Sequence, residues 1–555
     1  MDKEKAISFD GVIKHIGWGR HQQLWVLYSI LLGIITSIHI LSSIFIAYPI
    51  PYVCESPMEE YVAKNCNQTI WNTSATFEQF KLETNSLDHC HMFNATVNSG
   101  SMNCTNWDIL TIEKCTTHRF ISDGSVSTSI VMNFNITCDR SWINYMLQSM
   151  FMVGVFFNGM IFGKLADMFG RRTILLLMGC STMLLSFLTA AVRNLILYTI
   201  MRSVMGVFCL TLSISYVLTS ECVLPRYRAF SVQMGSMGFS VGTAIFAVIA
   251  YFIRDWVSLQ IAISVLSLIN LIIWWLFDES PRWLISKGRY DEALKILFKI
   301  AKVNKANDEA MCVLNRYEAS LVEMPAENLK HSGNVTEKFG MWHTLKYSGL
   351  RLQTIVLSYA WFVTSCVFYG MTLNVARIGG NIYFNTMIMG GMGIPSAFIA
   401  TILCNKIGRC VVIYTSFLLC GIFCIAMYFI PDELKGLSLT VFLFGRVFSL
   451  VPFCTLFLYT IELYPTLMRA TASNYGSALA RIGAIVAPAI SGLYIVHPSL
   501  PYVTFGVLSL LAGILMMLLP ESRKARMFES MEEANEFANL NAGPLRRICM
   551  TKHLK

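Results

Sequence analysis

The sequence predicts an all-α membrane protein of twelve transmembrane helices in two six-helix bundles. A large disulfide-rich extracellular loop is expected between helices 1 and 2. Three observations carry that prediction. Of the 555 residues, 55% are hydrophobic and only 14% charged, with mean hydropathy +0.54, whereas a soluble chain carries about 25% charged residues. A window of ~20 residues finds about twelve apolar spans. Finally, GKLADMFGRR at 163–172 is echoed by NKIGRC at 405–410. A basic turn repeated in corresponding halves of an apolar chain points to a two-half carrier.

The first half gives spans at roughly 24–50, 143–163, 173–192, 195–219, 229–253 and 257–277, and the second at roughly 352–373, 382–404, 411–430, 437–460, 471–495 and 501–519. Lipid offers backbone polar groups no partners, so each span must be helical. Residues 1–23 form an N-terminus, 24–277 the first bundle, 278–351 a linker with short helices, 352–519 the second bundle and 520–555 a tail. Lys164, Arg171, Arg172, Arg226, Arg228, Lys406, Arg409 and Arg469 fall on one side, with the basic linker and both termini. The opposite short loops hold only Arg193, Arg254, Arg377 and Lys435. The positive-inside rule makes the first side cytoplasmic, in a multi-pass protein of the plasma membrane. The net charge of +9 is therefore a topology signal and not a nucleic-acid footprint. Residues 1–20 are polar and mixed in charge, so the first helix is expected to target the chain without a cleaved signal.

The polar segment 51–141 holds Cys54, Cys66, Cys90, Cys104, Cys115 and Cys138, an even set that predicts three disulfides in an oxidising compartment. Six cysteines allow 15 pairings and the sequence does not choose among them. Glycosylation sequons start at Asn67, Asn72, Asn94, Asn103 and Asn135. Asn334 also heads one, but within the linker, where it is expected to stay bare. The cysteines inside spans read as small buried hydrophobes, with no metal site or cofactor indicated. In the linker, YDEALKILFKIAKVNK at 290–305 has apolar residues at helical spacing and a basic opposite face. The tail is polar and mixed in charge, and reads as mobile.

Within GKLADMFGRR, the glycines Gly163 and Gly170 suit close helix approach and a tight turn. Asp167 can pair with an arginine, and Arg171 and Arg172 suit an anionic inner leaflet. The loop reads as a latch between the halves, against the plainer reading of a topological basic turn. A second duplication runs beside it: Arg202 leads to Glu221 and Arg228 in one half, and Arg446 to Glu462 and Arg469 in the other. Charges near a membrane are costly unless paired, so a cytoplasmic ion-pair cluster is expected in each half. A third echo, FDESPRWL at 277–284 against LPES at 519–522, closes each half.

With these motifs goes a resemblance over nearly the whole chain. The cysteine- and sequon-rich first loop, FNITCDRSW at 134–142, GKLADMFGRR, DESPRWLISKGRYDEA at 278–293 and YTIELYPTLMR at 459–469 together resemble the organic ion transporter family, solute carrier family 22, of the major facilitator superfamily. That resemblance implies an alternating-access carrier of small organic anions, cations or zwitterions.

Arg481, in ALARIGAIVAP near the middle of the eleventh span, is the leading substrate residue, since a guanidinium there is tolerated when it faces water or an anionic ligand. The resemblance implies the same: members handling anions and carboxylate-bearing zwitterions have arginine at this position, and core cation carriers an aspartate. Trp361, Phe368 and Tyr369 match the family's seventh-helix aromatic stretch, and Phe239 and Phe453 fall near family contact positions; any single ring there is more often packing than site, and the seventh-helix cluster is the stronger candidate. His39 is read either as a hydrogen-bonding site residue or as a satisfied core histidine. On the eighth helix, Ala397 stands where several anion carriers have lysine and Gly393 where cation carriers have glutamate, which leaves the site one positive charge and no midmembrane acid.

These readings give a polyspecific carrier of small organic anions, working by facilitated diffusion or exchange in the lipid bilayer. A carnitine-like zwitterion or cation carrier is the alternative within transport, and a non-transporting scaffold or receptor the alternative of another class. No HExxH, GxSxG or P-loop appears, so an enzyme is not indicated. Oligomeric state is not addressed by the sequence.

Overall fold

The computed structural model describes residues 9–54, 90–97, 107–115, 117–121, 124, 126–271, 278–322, 341–431, 433–465, 468–523, 528 and 530–540. The chain divides into two compact units: a helical one of 1–44, 145–252 and 257–555, and a loop unit of 45–144 with 253–256.

The helical unit begins with α1 (Phe9–Ile16) and α2 (Arg20–Leu41). It continues through α3 (Trp142–Phe169), α4 (Arg171–Ala191), α5 (Leu195–Cys209), α6 (Leu212–Cys222), α7 (Pro225–Phe252) and α8 (Trp256–Leu266). The second half has α11 (Ser348–Asn374), α12 (Ile382–Lys406), α13 (Arg409–Ala426), α14 (Lys435–Leu463), α15 (Arg469–Gly492) and α16 (Leu500–Met516). Between the halves lie α9 (Tyr290–Val303) and α10 (Asp308–Val322), and the tail carries α17 (Met531–Leu540). Ten spans among the described residues are long and apolar enough to cross a membrane, α5 and α6 forming one of them, and Trp256–Leu271 and Leu500–Met516 are shorter apolar helices. Together they are the twelve spans the hydropathy predicts.

The duplicated basic turns are shorter than the sequence suggests. α3 runs on through Lys164–Phe169 and α4 starts at Arg171, so only Gly170 interrupts the helices. The copy is built alike, with Ile407 and Gly408 between α12 and α13. Gly163 faces open space and packs against nothing, contrary to the close helix approach expected there.

On the linker side, meaning the ends of the spans nearest 278–347, α1, α9 and α10 share a core of Val12, Ile13, Ile16, Leu297, Ile300 and Leu314. The amphipathic pattern of α9 is thus buried against other helices and not simply solvated. Residues 531–540 of the tail are also anchored, against the expectation of mobility. Met531 and Ala534 pack with Leu350 and Met468, the Gly349 amide donates to Asn535 Oδ1 at 2.9 Å, and the Tyr347 hydroxyl donates to Glu532 at 2.7 Å.

In the loop unit, β1 (Tyr52–Cys54) pairs antiparallel with β4 (His118–Phe120), and β2 (His91–Val97) with β3 (Trp107–Lys114). Disulfides join Cys54 to Cys115 and Cys90 to Cys138, which selects among the pairings the sequence leaves open. Asn94 lies on β2, and Asn135 is exposed with a left-handed φ of 48°. Cys66, Cys104, Asn67, Asn72, Asn103 and Asn334 lie outside the described residues.

Ala534→Asp places a carboxylate at a fully buried position of the tail helix, at a cost of about 2–4 kcal/mol. It is expected to release α17, seen as faster amide exchange over 531–540; unchanged exchange contradicts the docked tail.

Candidate functional site

Two places in the helical unit collect charged side chains. At the linker-side ends, each half builds the same device. Glu279 accepts from the backbone amides of Arg171 and Arg172 at 3.1 and 3.0 Å. Glu521 accepts from those of Arg409, Cys410 and Val411 at 2.8, 3.0 and 3.3 Å. A carboxylate at a helix N-terminus satisfies donors that have no intrahelical partner and meets the positive end of the helix dipole. Gly170 (φ 102°) and Gly408 (φ 132°) turn the chain in conformations L-residues rarely adopt, and a Cβ at either would run into that carboxylate. Burial raises the Glu279 carboxyl above the usual range, against the pull of the amides and Arg171. The echo of DESPRWL in LPES is therefore a pair of helix caps, a role the sequence reading left unassigned.

The arginine that opens each capped helix then pairs inward. Arg171 Nη2 lies 2.9 Å from Asp167 and 3.1 Å from Glu221; Arg409 Nη2 lies 3.2 Å from Glu462. Trp283 Nε1 donates to the Asp167 carbonyl at 2.9 Å. These ion pairs join elements of one half each. The expected Glu221–Arg228 and Glu462–Arg469 partnerships are replaced. Arg228 instead reaches Asp10 of α1 at 2.8 Å, shared with Arg282 at 2.5 Å. Arg469 Nε donates to the Tyr464 carbonyl at 3.2 Å. The reason is that α6 ends at Cys222 and α7 begins at Pro225, so a seven-residue interval crosses a chain reversal. Arg409, which the sequence reading treated only as topology, takes the role given to Arg469.

Arg202 and Arg446 are not at the gate. Arg446 precedes Glu462 on α14 by sixteen residues, about 24 Å along a helix. Arg202 lies nineteen residues before Glu221. Both are buried, and each guanidinium lies over an aromatic ring: Arg202 4.9 Å from Phe151, Arg446 3.7 Å from Phe368. Arg202 Nη2 donates to Ser42 Oγ at 2.7 Å, and Arg446 Nη1 to Ser449 Oγ at 3.5 Å. Arg446 Nε is buried without a hydrogen-bond partner.

Arg446 lines a narrow cavity near the middles of α7, α12 and α14, with about 20 Å³ open to a water-sized sphere, room for about one water. Phe239, Ser240 and Thr243 of α7, Phe368 of α11, and Gly393 and Ser396 of α12 contribute to its walls. The lining holds one guanidinium and no carboxylate among the described residues. Phe368 is the hub of a ring cluster, with centroids 6.4 Å from Phe239, 5.0 Å from Phe453 and 5.2 Å from Tyr369. An apolar aromatic lining with one convergent charge has the composition of a small-molecule site, and in this conformation it is closed too far to admit one.

The other expected site residues are distributed around it. Arg481 is half-buried on α15, near enough to Tyr369 and to Cys209 of the first half to act on both electrostatically. Trp361 is packed against Gly476 and donates from Nε1 to Thr460 at 3.1 Å. His39 Nε2 lies 2.7 Å from Ser267 Oγ, inside the first bundle. The cavity's own guanidinium is thus Arg446, which the sequence reading assigned to the gate. Its position was recoverable from helix rise alone, because no residue near the middle of a 29-residue helix can reach its end.

Comparison with known proteins agrees with this architecture. The family model described as sugar (and other) transporter matches residues 91–534. The chain is 30% identical over 536 residues to an organic cation transporter protein of Drosophila melanogaster, covering 96% of this chain and 95% of the relative. It is 28% identical to solute carrier family 22 member 16 of Homo sapiens, covering 98% and 96%. Among solved structures, the inward open conformation of the xylose transporter XylE from E. coli superposes with TM-score 0.57 at 14% identity, over 93% of this chain and 99% of that one; such identity speaks to the fold alone.

Removing the Glu521 cap strands three amides and is expected to cost about 1–3 kcal/mol. Glu521→Ala should lower the thermal midpoint in detergent clearly, and Glu521→Gln, which keeps one acceptor oxygen, by less. Equal midpoints for wild type and Glu521→Ala would contradict the cap.

Proposed function

The chain belongs to the sugar (and other) transporter family and, within it, to solute carrier family 22; on that premise, we propose that this multi-pass membrane transporter carries small organic anions by alternating access. The observation that supports the anionic reading is Arg446, a buried guanidinium on the cavity wall with an unpartnered Nε and no carboxylate in the lining. An uncompensated charge at midmembrane costs several kcal/mol, and a bound carboxylate or sulfonate offsets that cost through charge-assisted hydrogen bonds. Phe239 and Phe368 on the cavity wall offer rings to the flat body of the same ligand, with Phe453 packed behind Phe368.

In the proposed cycle the two halves rock about the cavity by facilitated diffusion or exchange. The caps at Glu279 and Glu521 and the ion pairs of Arg171 and Arg409 keep the linker-side ends of each half rigid, so that each moves as a body. Asp167, with its side chain 72% exposed, is placed to meet the other half when the linker side closes. The distribution of arginine and lysine supports a cytoplasmic linker side.

A second reading, a carrier of zwitterions, is favoured by the ring cluster. A cationic group can lie against aromatic faces while the carboxylate meets Arg446; the Drosophila melanogaster relative is named for organic cations.

Uptake of a labelled panel of aryl monoanions, zwitterions and carboxylate-free cations tests these readings. Arg446→Ala is expected to lower anion uptake by more than about tenfold at unchanged surface expression, Arg446→Lys to retain part, and Arg481→Ala to act in the same direction. Undiminished anion uptake by Arg446→Ala, or preference for a cation lacking any carboxylate, overturns the assignment.

A further inference from the structure

Arg377 ends the 3-10 turn Val375–Arg377 that follows α11, at the loop-side end of the second half. It belongs to neither the cavity nor the linker-side clusters. Its guanidinium lies 4.1 Å from the Tyr494 ring centroid and 5.0 Å from that of Tyr145, and its Nη2 donates to the Tyr145 hydroxyl. Tyr145 sits at the start of α3 in the first half, whereas Tyr494 lies just past α15 in the second. One residue therefore ties the halves together. Other cross-half contacts cluster at the same level. Ser149 Oγ donates to the Ile485 carbonyl at 2.9 Å, a Cβ on Gly492 would touch the Tyr145 ring at 3.4 Å, and Tyr251 meets Tyr383 edge to face at 5.5 Å.

We infer that Arg377, Tyr145 and Tyr494 form a cation–π latch that holds the loop side of the two halves shut and must break for the cavity to open on that side. The inference rests on the alternating-access reading above. Rings suit this task better than a carboxylate would. A guanidinium held by π faces is stabilised modestly, and it keeps a neutral, partly buried setting that can part and reform without stranding a buried anion. Such a contact sets the population of the loop-open state and not the chemistry of the site.

The test is the accessibility of a cavity cysteine, Ser240→Cys, to a membrane-impermeant maleimide added to intact cells, scored against the same background without that cysteine. Arg377→Ala is expected to speed labelling by roughly five- to tenfold. Tyr494→Leu should act likewise, whereas Tyr494→Phe keeps the ring and should stay near the parent rate. Tyr145→Phe, which loses only the hydroxyl acceptor, should fall between. Surface expression is read for each variant, and the tyrosine pair carries the test if Arg377→Ala fails to reach the surface. Labelling that ignores Arg377→Ala, or that rises equally in Tyr494→Phe and Tyr494→Leu, overturns the latch. The assay needs no substrate, so a wrong substrate class leaves it intact. Absence of labelling in every variant together with absence of uptake would instead sink the carrier reading and the latch with it.

Discussion

A guanidinium inside or beside a membrane must find compensation, because lipid offers none and isolation costs several kcal/mol. This chain meets that constraint in three ways, at three heights. At the linker-side ends, arginines meet carboxylates: Arg171 with Asp167 and Glu221, Arg409 with Glu462. At the loop side, Arg377 meets tyrosine rings. In the middle, Arg202 and Arg446 meet rings and serine hydroxyls with no acid between them. Only the linker-side arginines are therefore neutralised by carboxylates; Arg377, Arg202 and Arg446 are held by neutral groups.

The repeat that marks the sequence is an architectural device before it is a gate. A glycine at positive φ turns the chain, a glutamate from the end of the same half caps the next helix, and the arginine at the helix start pairs with a glutamate of a third helix. Each copy fastens three segments of its own half. A rigid-body cycle depends on such fastening, because halves that deform locally could not transmit an opening at one face into a closing at the other.

Much of this was legible in the residues. Hydropathy placed all twelve spans, and the spacing of apolar residues in 290–305 gave α9. Other features were not, for physical reasons. The partnership of Arg409 with Glu462 joins elements fifty-three residues apart, and only packing of α13 against α14 creates it. The role of Glu279 and Glu521 is to accept from backbone amides, which leave no mark on side-chain pattern. Arg446 was drawn to the gate by its echo of Arg202, although the rise of α14 separates it from Glu462. The docking of α17 was available in principle, since Met531, Ala534 and Ala538 recur at helical spacing on a polar segment. Rings were only half readable: Phe239 and Phe368 line the cavity, while Trp361, no different in sequence, is held in an interhelical hydrogen bond.

The central claim is that the sign of the charge at position 446 sets the sign of the cargo. The most direct measurement is the ratio of uptake of an aryl carboxylate to that of an aryl ammonium on the same frame, in wild type and in Arg446→Glu at matched surface expression. The account predicts a ratio well above one in wild type that inverts on charge reversal. A ratio indifferent to the reversal would contradict it.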